Sequence, residues 1–361
     1  MSTVVNVGNS SLEEIAEVLK SANSIAICGH TTPDGDCIGS QMAAYHALRA
    51  LGKSVKCLLA RNEALDKSLS FLPGCQDMIA AKNYAETPDV FLALDVPNVG
   101  RMGVAGAEVF ERAPVTITID HHRSEEPMSN YNFVSPTTAS ASMLVWDLIG
   151  CLGVEKTKDI AQCCYHGLVT DTGSFRHQNT SVDCFEYAME MLNAGADIQA
   201  TSEAFFMSRR YESIALEQEV LSRLRRGSKK NYAITYITRE DFKKFKCKKI
   251  DAEPIVEVLR SIDGVRVACI LREESNRSIR GSFRASDDTD VSRLANFFGG
   301  GGHKGAAGFG LFASLSDDSS QKQVSPLEAF DIVTDLLEEC LCDKKDAKLH
   351  HEYIASVDNG E

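Results

Sequence analysis

The chain has 361 residues, with 38 Lys+Arg against 51 Asp+Glu and a net charge of −13. That length points to two domains, and 43% hydrophobic with 25% charged residues excludes disorder over most of the chain and any collagen-like repeat. The acidic balance argues against a protein that coats long or duplex nucleic acid. No apolar stretch reaches the ~20 residues of a membrane span.

The first ten residues carry neither a basic region nor an apolar core, which gives the expectation of a cytoplasmic protein. Twelve cysteines are scattered without a CxxC pair. They read as reduced, mostly buried thiols, not as a disulfide framework or a zinc site.

In chain order, residues 11–20 place Leu12, Ile15, Ala16 and Leu19 on one helical face. Residues 24–28 form a short apolar strand that runs into Gly29-His30, and 38–51 a helix that stops at Gly52. Strands are predicted at 55–59, 90–96 and 115–119, and helices at 140–149 and 160–169. Such alternation implies an α/β domain, a parallel sheet with helices on both faces, over 1–190. Residues 191–230 read as a helical linker with basic runs. A smaller α/β domain follows at 231–345, with strands at 231–238, 265–271 and 278–285 and helices at 255–262 and 291–298. A polar insertion at 314–323, a last helix at 326–342 and a frayed tail at 346–361 complete the chain.

The polar residues of the first domain gather where a parallel sheet binds ligands, beyond the carboxyl ends of its strands. Gly29-His30-Thr31-Thr32-Pro33-Asp34-Gly35-Asp36 follows the first strand, and Gly35 lets that loop turn tightly. Asp95 ends a second strand, Asp120-His121-His122 a third, and Asp171 lies in Thr170-Asp171-Thr172-Gly173. Taken singly, each is ordinary, since an Asp after a strand often caps a helix. Together they are oxygen and imidazole donors without a thiolate, a set that suits Mn2+ or Mg2+. Asp34, Asp36, Asp95 and Asp171 carry −4, which two divalent cations balance. Two ions about 3.5–4 Å apart share a water that ionises near neutral pH and can attack phosphorus.

The second domain has a different signature. Phe298-Gly299-Gly300-Gly301-Gly302-His303-Lys304-Gly305 is a glycine loop with one imidazole and one amine. Its N–H groups suit an anion. Arg280 and Arg284 stand four apart on a predicted strand, hence on one face, and arginine takes phosphate bidentately.

The ordered motifs GHTTPDGD, LALDVP, IDHHRS, TDTGSF, SIRGSFRAS and GGGGHKGAAGF resemble the DHH phosphoesterase superfamily with a DHHA1 C-terminal domain. Within it the chain is most similar to the oligoribonuclease/pAp-phosphatase (NrnA-like) branch. The resemblance implies that His30 and Asp34 bind one metal, that Asp36, His121 and Asp171 bind another, and that Asp95 bridges. It implies that His122 faces the scissile phosphate while Asp120 orients the histidines. Arg284 and His303 would hold the substrate's terminal phosphate or sugar, with Gly301, Gly302, Arg280 and Lys304 beside them. Arg101 matches a family position and reads as structural.

The implied substrates are short RNA, linear dinucleotides such as pApA, and 3′,5′-pAp; a homodimer is a further family expectation. A RecJ-like single-strand exonuclease shares the metal motifs but calls for extra nucleic-acid domains. A family II pyrophosphatase lacks the glycine loop, and a non-catalytic nucleotide sensor would not need every ligand. Two departures stand out. Met143 occupies a position where the family often has Glu, and 313–361 extends beyond the usual ending.

Overall fold

The computed structural model describes residues 5–122, 127–207, 209–274, 278–311 and 325–341, and of His303 the backbone. The predicted polar insertion, the C-terminal tail and the His303 side chain lie outside the described residues. Two units divide the chain at Ser208/Arg209. Residues 191–230, expected as a linker, are shared between the two.

The first unit runs α1 (Leu12–Ser21), β1 (Ser24–Cys28), α2 (Gly35–Ala50), β2 (Ser54–Leu59), α3 (Lys67–Ser70), β3 (Ile79–Ala80), β4 (Val90–Leu94) and α4 (Gly103–Arg112). It continues with β5 (Val115–Asp120), β6 (Tyr131–Val134), α5 (Ala141–Leu152), α6 (Lys158–Asp171), α7 (Val182–Asn193) and α8 (Ile198–Phe206). Its six strands are all parallel in the order β3-β2-β1-β4-β5-β6. The order reverses between β1 and β4, and at such a switch point the loops leaving two adjacent strands part to open a crevice.

Alternation along each strand builds two cores. Ile25 and Ile27 join α1, α2, α5 and α6 on one face, while Ala26, Cys28, Phe91 and Ala93 meet Val109 and Phe110 of α4 on the other. A sheet covered on both faces explains why these strands read as nearly unbroken apolar runs. Helix α2 is buried almost all round, so its sequence shows little amphipathic pattern.

The second unit runs α9 (Tyr211–Leu221), β7 (Arg225–Arg226), β8 (Tyr232–Ile237), α10 (Arg239–Phe245), α11 (Lys249–Arg260), β9 (Val267–Glu273) and β10 (Ile279–Ala285). Then come α12 (Val291–Asn296), β11 (Gly301–His303), β12 (Ala306–Leu311) and α13 (Pro326–Leu341). Its sheet is mixed, in the order β11-β12-β10-β9-β8-β7. The glycine run therefore departs from the expected loop: Gly301–His303 is a strand paired antiparallel with β12. At Gly300 a Cβ would stand 2.3 Å from the Gly308 carbonyl oxygen, so hairpin packing itself requires glycine there. Among the described residues no helix is long and apolar enough to cross a membrane.

Helices α2 and α6 approach so closely that only glycine fits between them. A Cβ on Gly39 of α2 would lie 2.4 Å from the Cys163 carbonyl oxygen of α6, and one on Gly167 of α6 would lie 2.7 Å from Asp36 Oδ1 of α2 and 2.0 Å from Ser142 Oγ of α5. Backbone cannot swing aside as a side chain does. Gly39→Ala is therefore expected to cost about 1–3 kcal/mol of stability through overpacking, read from urea unfolding. Parent-like stability would show that the two helices part freely.

Candidate metal centre

The carboxyl end of the parallel sheet gathers the titratable residues. His30 lies two residues past β1, and Asp34 is the N-cap of α2, accepting from the Cys37 N–H at 3.0 Å. Asp36 sits in the first turn of α2 and is fully buried. Its two oxygens accept the Ala141 and Ser142 N–H groups at 2.5 and 2.8 Å. These are the free donors at the start of α5, an anion site by construction. The contact is made by backbone, so Met143 does not disturb it.

Asp95 follows β4 with φ +57, a left-handed conformation that costs a non-glycine residue about 1–3 kcal/mol. Its N–H donates to the Ile119 carbonyl at 3.2 Å, which ties it to β5. Asp95 Oδ2 stands 3.3 Å from His30 Nε2, and Oδ1 stands 3.3 Å from His121 Nε2 and 3.4 Å from His122 Nδ1. His121 Nε2 is also 3.2 Å from Asp171 Oδ2 and 3.8 Å from Asp36 Oδ2. Asp171 ends helix α6, so it reaches the cluster from a helix and not from a strand. Asp34 Oδ2 is 3.8 Å from His30 Nε2.

Supporting hydrogen bonds fix the two imidazoles differently. His121 Nδ1 lies 3.3 Å from the Thr138 carbonyl, which makes Nδ1 a donor and leaves Nε2 facing the carboxylates. Buried Asp120 accepts the His121 and His122 N–H groups at 2.8 and 3.2 Å and His122 Nδ1 at 2.8 Å. His122 keeps 40% of its side chain exposed, far more than His30 or His121.

The electrostatics call for positive charge. Burial pushes Asp36 up to about 7, with Asp95 adding to the shift, and burial with Asp36 nearby raises Asp171 well above the carboxylate range. For His121, burial opposes the charged form, but Asp95, Asp36 and Asp171 outweigh it and push it up to about 10. Burial opposes ionisation of Asp95 too, yet the His121 and His30 imidazoles hold it below the usual range. Asp36, His121 and Asp171 offer donor atoms all within 4.8 Å of one another, as do Asp95, Asp120, His121 and His122. Asp95 Oδ1 and His30 Nδ1 are buried without a hydrogen-bond partner. Convergent oxygen and nitrogen donors with orphaned buried atoms fit divalent cations.

A third group was not read from the sequence. Cys37 offers its sulfur within 4.8 Å of donors from His30 and Asp95. A thiol thus stands beside the oxygen and imidazole donors expected from the sequence. The signal was the helical position directly after Asp36, which turns the side chain back under Gly29.

Comparison with known proteins gives this geometry a family. The model described as DHH family, N-terminal domain, matches residues 24–168, and that of the DHHA1 domain matches 229–325. The bifunctional oligoribonuclease and PAP phosphatase NrnA of Thermus thermophilus is 31% identical over 296 residues, 81% of this chain and 86% of that protein. The chain belongs to the DHH family of phosphoesterases.

An exopolyphosphatase-related protein from Bacteroides fragilis is 28% identical with a TM-score of 0.81, covering 93% of this chain and 98% of that one. RecJ of Thermus thermophilus, solved with Mn2+, shares the fold at 14% identity and a TM-score of 0.53, over 96% of this chain and 56% of that one. The DHH match holds every clustered residue except Asp171, three positions beyond its end.

In the DHHA1 unit, strand register puts Arg280, Ser282 and Arg284 on one sheet face. They lie opposite Gly310, Gly308 and Ala306 on β12 and opposite Arg272, Ile270 and Ala268 on β9. Gly301 pairs with Gly308, and His303 with Ala306. Arg284 Nε is 3.5 Å from Glu257, and Lys304 Nζ is 2.9 Å from Asp288. Gly302 has φ +150, and a Cβ there would meet the Ala306 carbonyl oxygen at 2.6 Å. Arg101 is exposed; its carbonyl accepts the Thr31 N–H at 2.8 Å, and its positive charge opposes protonation of His30.

A cation must displace the proton that Asp36 holds up to about 7 and the one that His121 holds up to about 10. Cation binding therefore releases protons and weakens as pH falls. Adding Mn2+ to chelator-treated protein is expected to raise Tm more at pH 8 than at pH 5.5. Equal shifts at both pH values would take Asp36 and His121 out of the binding site.

Proposed function

We propose that this chain is a divalent-metal-dependent phosphoesterase of short substrates, cutting oligoribonucleotides and linear dinucleotides such as pApA to 5′-mononucleotides and taking 3′,5′-pAp to AMP. The observation that carries the reading is the buried convergence of Asp36, Asp95 and Asp171 on His121 Nε2, with a half-exposed His122 held by Asp120 beside it. His30, Asp34 and Asp95 would hold one cation, and Asp36, His121 and Asp171 a second, with Asp95 shared. Two such cations, Mn2+ first and Mg2+ second, supply Lewis-acid polarisation and charge neutralisation to a phosphoryl group.

The chain's own residues do the rest. Asp120 accepts the His122 Nδ1–H, which fixes the ring and leaves Nε2 to act. Burial opposes the imidazolium, but the Asp120 hydrogen bond outweighs it and raises the His122 pKa. A protonated His122 donates to the oxygen of the departing group. In the DHHA1 unit, Arg284 takes a terminal phosphate as a bidentate donor, and Arg280 shares its face. The Gly301 and Gly302 backbone and His303 complete the grip. Lys304 is the weakest of these contacts, because Asp288 already pairs with it. Short substrates are favoured by the oligoribonuclease and PAP phosphatase activities for which the Thermus thermophilus relative is named and by a net charge of −13, which repels a long polyanion.

The test is a chromatographic turnover assay with Mn2+ on pApA, pAp, a short RNA and a long single-stranded DNA. Rapid mononucleotide release from the small substrates and slow loss of the DNA is expected. Processive loss of the DNA would replace this reading with a RecJ-like one. His122→Gln should lower kcat by about 10²–10⁴-fold with KM little changed; a kcat within a few-fold of the parent removes His122 from proton transfer. Arg284→Ala should raise KM far more for a substrate with a terminal phosphate than for one without. Equal effects on both would end the phosphate role.

A further inference from the structure

One face of the DHHA1 sheet is covered over some strands and open over others. Ala233, Ala268 and Ile270 of β8 and β9 pack beneath α9 and α11. Beside them, Arg280 of β10 and Gly308 of β12 are exposed, and Ser282 and Arg284 are half-buried. Along β12, buried Ala307 and Phe309 stand on either side of Gly308, the alternation of a strand with one solvated face.

The centre of this face is bare backbone that the fold does not require. Gly308 stands opposite Ser282 on one side and Gly301 on the other. Beyond their chain neighbours, a Cβ on Gly308 would come no nearer than 3.7 Å to any group, and one on Gly301 no nearer than 3.9 Å. Neither glycine has a positive φ. Gly281, Gly300 and Gly302 differ, since a Cβ there would strike the Phe309 ring, the Gly308 carbonyl oxygen or the Ala306 carbonyl oxygen at 2.0, 2.3 and 2.6 Å. Glycine weakens a strand, and one that neither packing nor φ demands leaves backbone open to a closely approaching ligand.

Cations flank the bare strip at both ends. Arg284 stands at one end. At the other, Arg280 lies directly across from Arg272 of β9, and like charges so placed disfavour the pairing. Buried Glu274 accepts from Arg272 Nε at 3.0 Å and from Lys249 Nζ. Arg280 makes no ion pair among the described residues, so three cations share one carboxylate at this corner. Four residues of strand, about 13 Å, separate Arg280 from Arg284. Helix α11 spans the same interval. Lys249 opens it, and Glu257, eight residues or about 12 Å along, stands 3.5 Å from Arg284 Nε. Side chains that stand off the sheet at that separation meet two phosphates, not one.

We infer that the open DHHA1 face holds two phosphates of one oligoribonucleotide, Arg284 taking the terminal one and Arg272 with Arg280 a second, while Gly301 and Gly308 pass the nucleoside between them. The inference rests on the reading of Arg284 as a terminal-phosphate contact. A dinucleotide such as pApA keeps only its terminal phosphate for this face when its internucleotide phosphate is the one cut. A linear trinucleotide brings a second. Arg272 and Gly308 are thus specificity-determining residues for chain length, and the preferred substrate has at least three nucleotides.

The experiment measures KM and kcat of the full chain with Mn2+ on pApA and on the trinucleotide pApApA. The parent should have the lower KM for the trinucleotide. Arg272→Gln should raise that KM about tenfold, the loss of one charge-assisted hydrogen bond, and the dinucleotide KM far less, with kcat little changed. Glu274→Gln releases Arg272 and Lys249 and should lower the trinucleotide KM. A purely structural ion pair would instead raise KM alike for both substrates in both variants. Gly308→Val puts a side chain that strands favour on the bare strip. It should keep the parent Tm and raise the trinucleotide KM, and it serves if the charge variants do not fold. No trinucleotide preference in the parent, equal changes for both substrates in Arg272→Gln, or a parent-like trinucleotide KM in a folded Gly308→Val would overturn the two-phosphate inference alone. No mononucleotide from either substrate in the parent would overturn the phosphoesterase reading with it.

Discussion

One buried carboxylate facing three imidazoles organises the first unit. Asp95 lies within 3.4 Å of His30, His121 and His122, and its backbone N–H ties β4 to β5. No other group in the cluster touches histidines from two strand ends at once. The sheet order explains why it can. β1 and β4 are neighbours at the point where the strand order reverses, so the loop after β1 turns one way and the chain after β4 the other. The positive φ of Asp95 aims its side chain into that gap. A strained backbone persists only where its surroundings over-determine it, and here a β5 carbonyl and two strand-end loops do so.

The remaining members of the cluster are set by packing at a distance from it. Asp36 is pinned by the first N–H groups of α5, and Asp171 is delivered by the end of α6. Their separation depends on how closely α2 approaches α6, which Gly39 and Gly167 determine. A methyl group at Gly39 would act on the cluster without touching any of its members, whereas one at Gly167 would also press on Asp36 Oδ1 at 2.7 Å. Site geometry of this kind is inherited from helix packing, and small displacements of the ligands would be amplified in a reaction that requires aligned groups.

Much of this was legible in the sequence. Strand-ending His and Asp in fixed order, with β-branched runs before them, were enough for the α/β class and for the residues that converge. Backbone contributions were not legible. Nothing in Thr138 or Ala141 as residue types announces that one orients His121 and the other anchors Asp36, because carbonyl and N–H groups are common to every residue. Short pairing partners were hidden for a related reason. β3, β7 and β11 have two or three residues each, too few for a period, and the glycines of β11 read as a loop until pairing with β12 is seen.

Several unfavourable features of the first unit are crowded into the same place. Like charges that approach to about 4 Å repel by about 4 kcal/mol at an effective dielectric of about 20. Asp36 and Asp171 meet in that way, and each answers by holding its proton above the usual range. The orphaned atoms of His30, Asp95 and Asp120 lie within the same cluster, as does the left-handed Asp95. Beside it the core is ordinary: two apolar layers, a satisfied parallel ladder and helices capped by side chains such as Ser11 and Thr157. Folding thus tolerates one locally unfavourable cluster on a well-packed scaffold. A cation that cancelled the repulsion would contribute folding free energy as well as chemistry. The groups that would hold a cation are the same ones whose repulsion burdens the fold, so its occupancy and the stability of the first unit would be linked through Asp36, Asp95 and Asp171.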